Sequence, residues 1–295
     1  IFFAIKGKNK NGNLYAQEAF KKGASIAVVS SSKKKPKQIK VKDTLKFLIR
    51  ASTMLRENTE SNIIAITGSC GKTSLKELVG RTLNKISSTT YSPKSFNNKF
   101  GVPLSLFNLK KNDEFGVFEI GMDRKGEIDY LSKIIKPDLG VITNISYAHA
   151  RNFRNIEQIA LAKSEIINNI KNNGNLVLNA DDQFYDFHKK IGQRKNLKIC
   201  SFSLNKKASE INLDFIQKEK LKYKVNININ KSKKYFYLNS NFDKDIKNLL
   251  AAVSIISIFK DIRKLDSNIF YNHKMPDGRG DVSKIKIFKK NFYLM

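Results

Sequence analysis

Cysteine and long apolar stretches are both scarce in this sequence of 295 residues. Its two cysteines, Cys70 and Cys200, form neither a disulfide framework nor a metal-binding spacing, which is typical of a protein from a reducing compartment. No apolar run is long enough to cross a bilayer, so we expect no membrane insertion. No signal peptide is recognisable at the first residues, and we therefore expect a cytoplasmic location.

Acidic residues are also scarce, since 26 Asp and Glu oppose 55 Lys and Arg, for a net charge of +29. Such an excess is typical of nucleic-acid-binding proteins. Here the lysines are spread over the whole chain, and no aromatic and basic motif accompanies them. In "LKYKVNININ", from Leu221, apolar residues alternate with Lys and Asn, which predicts a half-buried strand with a solvated polar face. We therefore predict no nucleic-acid partner.

Short apolar runs alternate with helical patterns along most of the chain, which predicts an α/β fold. Residues 1–58 are expected to form a small, partial N-terminal α/β domain that ends in a connecting helix, Thr44 to Asn58. Residues 59–295 are expected to form a central P-loop-type, mostly parallel sheet with helices on both faces. Within it, Lys220 to Ser240 is predicted to form an antiparallel hairpin and Asp245 to Phe259 a helix.

The segment "ITGSCGKTS" combines the end of a buried strand, a glycine-bearing loop and the start of a helix. Backbone N–H groups at such a helix start favour phosphate. Lys72 can reach the outer phosphates of a nucleotide, and the Thr73 hydroxyl can ligate Mg²⁺. The loop is a shortened variant, because Ile66 stands where the full P-loop pattern has its first glycine. The predicted ATP-binding residues here are Gly68, Ser69, Cys70, Gly71, Lys72, Thr73 and Ser74.

Polar residues follow three further predicted strands, at the edge where ligands bind in parallel sheets. Glu119 ends "FGVFE" and could hold a hard cation beside a nucleotide or form a strand-end salt bridge. Asn144 and His149 follow "LGVITNI", and His149 could be either a ligand or a structural histidine. Asn179 follows "NLVL" and could face the nucleotide.

Two polar loops are weaker candidates. In "KSFNNKFGVP", Asn97 and Asn98 could hold phosphate or sugar oxygens of a substrate, or simply be solvated. In "MPDGRG", Arg279 could stack on a nucleotide base, meet a phosphate or be solvated.

The segment "NIEQIALAKSEIINNI", residues 155–170, places Lys163 in the middle of an apolar helix face. That face consists of Ile156, Ile159, Ala160, Ile166, Ile167 and Ile170, and Ser164 lies off it. One interpretation is a lysine whose stem covers apolar surface while its ammonium reaches water. The other is a lysine directed into a functional site.

The order of these segments resembles the Mur ligase family. It runs from "FFAIKGKNKNGNLYAQEAFKKGASIAVV" through "TGSCGKTS", "NNKFGVP", "FEIGMDRKGEI", "TNISYAHARNF", "IALAKSEI" and "LNADD" to "PDGRG". The shortened phosphate loop is the form found in this family. "NNKFGVP" with "EIGMDRKGEI" looks like the branch that adds D-alanyl-D-alanine. The resemblance covers nearly the whole chain and implies a fragment that lacks the start of the first domain and the C-terminal ligase domain.

The resemblance implies an ATP-dependent amide-bond ligase of peptidoglycan precursor synthesis. Its substrates would be UDP-N-acetylmuramoyl-tripeptide and D-alanyl-D-alanine, joined through an acyl-phosphate intermediate, and we expect a monomer. Residues 1–58 would then belong to the UDP-binding domain and residues 59–295 to the ATP-binding domain.

The resemblance also implies roles for individual residues. Lys72 would hold the ATP phosphates, while Thr73 and Glu119 would ligate one Mg²⁺. His149 would serve a second Mg²⁺. Lys163 matches the family lysine that CO₂ converts to a carbamate, which would give an anion suited to Mg²⁺. Lys72, Lys163 and His149 are thus the expected catalytic residues.

Two local departures leave individual contacts open. Asp123 and Arg124 stand where the family commonly has Asn-His, so no role is assigned to them. The helix containing "DIKNLLAA" lacks the usual Gly-x-His-Asn before it, which leaves its contact with the nucleotide open. Other functions also stay open. A sibling Mur ligase that forms the tripeptide and a folylpolyglutamate synthase are the near alternatives. A P-loop nucleic-acid-binding ATPase, with salt-dependent binding, is the alternative from another class.

Overall fold

The computed structural model describes residues 1–7, 9–30, 36–147, 152–230, 232–271, 283–287 and 290–294, with side chains described up to residue 271. Two residues predicted to belong to the site, His149 and Arg279, lie outside the described residues. Within the part of the chain that the structure describes, no helix has the length and apolar character that a transmembrane span requires.

The N-terminal residues form a small three-stranded parallel sheet, with strand order β1-β2-β3. Its elements are β1 (Phe2–Phe3), α1 (Ala16–Lys21), β2 (Ala27–Val29) and β3 (Gln38–Lys40). The predicted connecting helix is α2 (Thr44–Glu57), which begins where the Asp43 carboxylate accepts a hydrogen bond from Lys46 N at 3.0 Å. The domain boundary at residue 58 stays a prediction.

A nine-stranded sheet forms the centre of the molecule, with strand order β12-β11-β10-β9-β8-β7-β4-β6-β5. The strands are β4 (Asn62–Thr67), β5 (Thr89–Tyr91), β6 (Phe115–Glu119), β7 (Leu139–Ile142), β8 (Asn175–Asn179), β9 (Lys198–Ser203), β10 (Ile211–Glu219), β11 (Lys222–Ile229) and β12 (Ser232–Leu238). Every pair from β5 to β10 is parallel, and β10, β11 and β12 are antiparallel. The predicted mostly parallel sheet is confirmed.

Helices cover both faces of this sheet, as predicted. They are α3 (Lys72–Asn84), α4 (Gly101–Phe107), α5 (Glu127–Ile135), α6 (Ile156–Asn168), α7 (Tyr185–Arg194) and α8 (Asp243–Ser257). Side chains of α3 and α8 share one hydrophobic core with the sheet, and those of α4, α5, α6 and α7 share the other. Residues 63–66 of β4 are all fully buried, which explains why the central strands read as continuous apolar runs. The Phe3 and Phe107 rings pack edge to face at 5.0 Å and join the small sheet to α4.

The edge of the central sheet differs in detail from the prediction. The expected hairpin is the last part of a three-stranded meander, because β10 pairs with β11 along its length. Val225, Ile227 and Ile229 are buried as predicted, but Leu221 is 89% exposed. Leu221 lies in the turn between β10 and β11, next to Lys220 at φ +50°, so it does not belong to the alternating face. Beyond the meander, β13 (Ser283–Ile287) and β14 (Lys290–Leu294) form an antiparallel pair.

Candidate active site

The predicted phosphate loop lies at the topological switch point of the central sheet, where successive strands are added on opposite sides of β4. Strand β4 has β6 on one side and β7 on the other, so the chain builds outward from β4 toward both edges of the sheet. Ligands of open α/β sheets bind in the crevice beyond the carboxyl ends of the strands at such a point. The loop from Gly68 to Gly71 leaves β4 there and enters α3 at Lys72.

Two glycines give the loop its course. Gly71 has φ +80° and immediately precedes the first residue of α3. Gly68 has φ +147°, and a Cβ atom built on it would lie 1.9 Å from the Thr143 hydroxyl oxygen. Glycine is therefore required at position 68 both by backbone conformation and by the close approach of the segment after β7.

The segment after β7 holds the loop through several hydrogen bonds. The Thr143 hydroxyl donates to Cys70 O at 2.7 Å, and the Asn144 amide donates to the same carbonyl at 3.2 Å and accepts from Cys70 N at 3.0 Å. Ser69 N donates to Asn144 O at 2.9 Å, and the Ser69 hydroxyl donates to Ser146 O at 3.0 Å. The sequence placed Asn144 at this edge but did not predict these contacts.

The Lys72 ammonium lies over the phosphate loop. Its Nζ donates to Gly68 O at 2.8 Å and to Ser69 O at 3.2 Å. A phosphate bound against the start of α3 would lie within the reach of this side chain. The position agrees with the predicted role of Lys72, which stays a prediction.

Thr73 and Glu119 meet at the end of β6, as the predicted cation site requires. The Thr73 hydroxyl donates to Glu119 Oε2 at 2.7 Å, and Asn97 Nδ2 donates to Glu119 Oε1 at 2.7 Å. Glu119 is only 1% exposed. Among the described residues, no group of three or more His, Cys, Asp or Glu side chains could hold a metal. One carboxylate and one hydroxyl suit Mg²⁺, which keeps several waters and usually shares its coordination with substrate phosphates.

Lys163 is buried in the interior of the molecule, with 1% of its surface exposed. Burial, followed by the positive charge of Lys72, lowers the pKa of Lys163 to about 7. The interpretation that its ammonium reaches water is therefore wrong, and the lysine lies in the interior where the charge of Lys72, at the end of the phosphate loop, acts on it. Ser164 was predicted to lie off the buried face but is also buried. Its hydroxyl donates a hydrogen bond to Leu161 O within α6 at 2.7 Å, so the polar group is not left without a partner in the interior.

A cavity of about 570 Å³ is bordered by Cys70 and Gly71 of the phosphate loop and by Ser74 of α3. This volume suits a small-molecule ligand. The end of β8 contributes Asn179 to its lining, and the contact of Asn179 with a nucleotide stays a prediction. The first turns of α8 form the opposite wall with Lys244, Lys247 and Asn248. Asn248 Oδ1 lies 3.5 Å from the position a Cβ atom would take on Gly71. The sequence predicted this helix but left its contact with a nucleotide open, although the spacing of these three residues places them on one helix face.

A second cavity, of about 680 Å³, lies on the Lys72 side of the loop. Asn97 and Asn98 both border it, together with Asp123 and Arg124. The Asn98 side-chain oxygen accepts hydrogen bonds from the backbone N–H groups of residues 100 and 101, each at 3.0 Å, and so organises the start of α4. The structure brings Asn97 and Asn98 to a cavity, and their contact with substrate stays a prediction.

Comparisons with known proteins agree with this arrangement. Residues 66–256 match the model of the Mur ligase middle domain. The UDP-N-acetylmuramoyl-tripeptide--D-alanyl-D-alanine ligase of Buchnera aphidicola from Acyrthosiphon pisum is 36% identical over 209 residues, which are 70% of this chain and 45% of that protein. This chain thus spans about half the length of the curated relatives it matches.

Two crystal structures show the same fold over nearly the whole chain. MurF from Acinetobacter baumannii superposes with a TM-score of 0.81 at 27% identity and covers 98% of this chain and 63% of its own. MurF from Thermotoga maritima in complex with ADP superposes with a TM-score of 0.78 at 25% identity, covering 95% of this chain and 64% of its own. With the phosphate loop at the switch point and the domain match over most of its length, the chain belongs to the Mur ligase family.

Proposed function

We propose that this chain provides the nucleotide-binding part of an ATP-dependent ligase that adds D-alanyl-D-alanine to UDP-N-acetylmuramoyl-tripeptide. The observation that carries the proposal is the arrangement around one phosphate loop. Lys72 and the Thr73–Glu119 pair lie at the loop between two cavities, and the charge of Lys72 acts on the buried Lys163. The names of the relatives that match two thirds or more of this chain support the choice of substrates.

The first cavity would take the nucleotide. The α-phosphate side would meet the N–H groups of the loop, and the base would lie between Asn179 and the α8 wall. Lys72 borders the second cavity, so the terminal phosphate would lie on the side of the loop that faces that cavity. The resemblance of the fold to an ADP-bound MurF structure supports this placement.

Thr73 and Glu119 would hold one Mg²⁺ bound with the nucleotide. Their oxygens are 2.7 Å apart and buried, and hydroxyl and carboxylate oxygens are ligands that Mg²⁺ accepts. When bound, Mg²⁺ supplies positive charge that stabilises a transferring phosphoryl group. Lys72 would add a second positive charge to the same group. A second Mg²⁺ at His149 and an Arg279 contact with ATP stay predictions for positions outside the described residues.

Lys163 is proposed to react with CO₂ and carry a carbamate. The amine must be neutral to attack the CO₂ carbon, and a pKa of about 7 makes a neutral amine available near pH 7. The reaction forms the N–C bond, releases one proton and leaves an anion. The charge of Lys72, which disfavours the Lys163 ammonium, would favour that anion. The carbamate oxygens would then be available to a cation at the loop.

The second cavity would take the tripeptide end of the acceptor. Its carboxylate would approach Lys72 and the terminal phosphate, with Asn97 and Asn98 along the wall. Transfer of the terminal phosphoryl group of ATP to this carboxylate would release ADP and give an acyl phosphate. Attack by the amine of D-alanyl-D-alanine would then form the amide bond and release inorganic phosphate and a proton. Closeness and orientation of the two reacting groups would contribute much of the rate enhancement.

Calorimetric titrations test the two parts of the proposal. We expect ADP with Mg²⁺ to bind this chain, and UDP-N-acetylmuramoyl-tripeptide to bind more tightly than its dipeptide precursor. Equal affinity for the two acceptors would contradict the assignment to the D-alanyl-D-alanine-adding branch. Salt-dependent binding of single-stranded DNA in place of ADP binding would favour a nucleic-acid-dependent ATPase instead.

A further inference from the structure

Lys76 is a fully buried lysine that the proposed mechanism does not use. It lies on α3 one turn after Lys72, and its side chain is 0% exposed. Its ammonium donates to Glu77 Oε1 at 2.5 Å, to Ser92 O at 2.6 Å and to Lys94 O at 2.9 Å. All three N–H donors of the ammonium are therefore engaged.

Two of these acceptors belong to residues 92–98, the segment that surrounds the Glu119 carboxylate. We name this segment the site loop. Within it, the Ser92 hydroxyl accepts from Glu119 N at 3.2 Å, and Asn97 Nδ2 donates to Glu119 Oε1 at 2.7 Å. The Ser95 hydroxyl lies 3.4 Å from that of Thr73. Lys76 thus holds the start of a segment whose other end orients the predicted cation ligand.

The site loop has one specific conformation. Lys94 has φ +48°, in the left-handed region that non-glycine residues rarely adopt, and its carbonyl is one of the two bound by Lys76. Further along, Asn97 O accepts from Gly121 N at 2.8 Å. A Cβ atom on Gly121 would lie 2.9 Å from Asn97 Cγ, so the loop and the residues after β6 are closely packed. Only two residues separate Lys94 from Asn97, so the position of the Lys94 carbonyl limits where Asn97 can meet Glu119.

Burial of a lysine ammonium has a large desolvation cost that an apolar side chain does not have. An apolar side chain of similar volume is often neutral or favourable for stability at such a position. What an apolar side chain cannot do is hold two carbonyl oxygens at fixed positions. Glu77, which balances the charge of Lys76, also accepts from Arg81 Nε at 3.1 Å, so the carboxylate has a second cationic partner. The function that distinguishes Lys76 from a methionine is therefore the geometry of the site loop.

We propose that Lys76 is a positioning residue for the nucleotide-bound cation. Its ammonium fixes the site loop, and through Ser92 and Asn97 the loop holds the Glu119 carboxylate in the orientation that ligates the cation with Thr73. This inference rests on the proposed function, because it requires a cation at Thr73 and Glu119. Residues that orient a metal ligand in this way typically change metal affinity by about 10–100-fold when they are replaced.

The test separates cation binding from nucleotide binding. ADP affinity is measured by calorimetry with saturating Mg²⁺ and with EDTA, and Mg²⁺ is titrated into the ADP complex. For Lys76→Met we expect the Mg²⁺ affinity of the ADP complex to fall by about 10-fold or more, with the ADP affinity in EDTA nearly unchanged. Arg81→Met is the matched control, because it removes the other cation on Glu77 without touching the site loop. Its Mg²⁺ affinity should stay near that of the parent.

Each result decides between the proposals. If the parent binds ADP equally well with and without Mg²⁺, the proposed cation site is wrong. If the parent shows the Mg²⁺ effect and Lys76→Met retains it in full, the positioning role alone is refuted. Equal losses with Mg²⁺ and with EDTA would show a general structural role and also overturn the inference. Should Lys76→Met fail to fold, Lys76→Gln keeps donors of shorter reach and should show an intermediate loss of Mg²⁺ affinity.

Discussion

The burial of Lys163 predicts a specific dependence of stability on pH. The ordinary pKa of lysine is 10.5, and burial lowers that of Lys163 to about 7 in the folded chain. Between these two values the unfolded chain binds more protons than the folded chain, so the free energy of unfolding must rise with pH. Below pH 7 both states are protonated, and the cost of burying the ammonium is then fully present.

The magnitude follows from the same two pKa values. Each pKa unit of difference corresponds to about 1.4 kcal/mol. From pH 7 to pH 9 the folded chain loses its remaining bound proton while the unfolded lysine stays protonated. The contribution of Lys163 to the free energy of unfolding should therefore become more favourable by about 2 kcal/mol over that range. Because the side chain is 1% exposed, solvent screening reduces this value little.

Urea unfolding at pH 7, 8 and 9 in CO₂-free buffer measures this contribution by comparing the parent with Lys163→Met. We expect the variant to be more stable at pH 7 and its advantage to shrink by about 2 kcal/mol by pH 9. Lys218→Met is the matched control, because Lys218 is exposed on β10 and its replacement should give no pH-dependent difference. A difference for Lys163→Met that is constant with pH, or that grows toward pH 9, would refute a buried lysine of lowered pKa.

Three further predictions concern the same site. With ¹³C-labelled bicarbonate at pH 8, the parent should show a carbamate carbon resonance by NMR that Lys163→Met lacks; identical spectra would count against carbamylation. Lys72→Ala should weaken ADP binding by about 10–100-fold in calorimetry, as expected when a charged donor to the phosphates is lost, while the variant still unfolds in one cooperative transition. ADP binding at the parental level would exclude Lys72 from the phosphate site. Gly68→Ala should destabilise the fold by about 3 kcal/mol or more, through positive φ and contact with Thr143. Gly23→Ala, at φ +93° with open space, should cost only about 1 kcal/mol in the same urea titration, and equal effects would contradict the close approach at Gly68.

Local pattern was sufficient to predict the elements that carry the site. Because both faces of the central sheet are buried, the sequence of β4 is a continuous apolar run. The change from that run to Gly68, Gly71 and Lys72 indicates a strand, a loop and a helix without any long-range information. Helical periodicity likewise predicted that Lys163 lies on a buried face. The resemblance of the motif order to the Mur ligases then assigned chemistry to these positions.

Only the tertiary structure decided which side chains meet. Lys76 and Ser92 are 16 positions apart in sequence, Thr73 and Glu119 are 46 apart, and Cys70 and Asn144 are 74 apart. Strand order in the sheet brings each pair together, and strand order depends on packing that no local pattern contains. The same holds for α8, whose residues form a wall of the first cavity only because the helix packs beside α3. Sequence therefore determined the phosphate loop and the buried lysine, whereas the partners of both were set by long-range packing of the sheet.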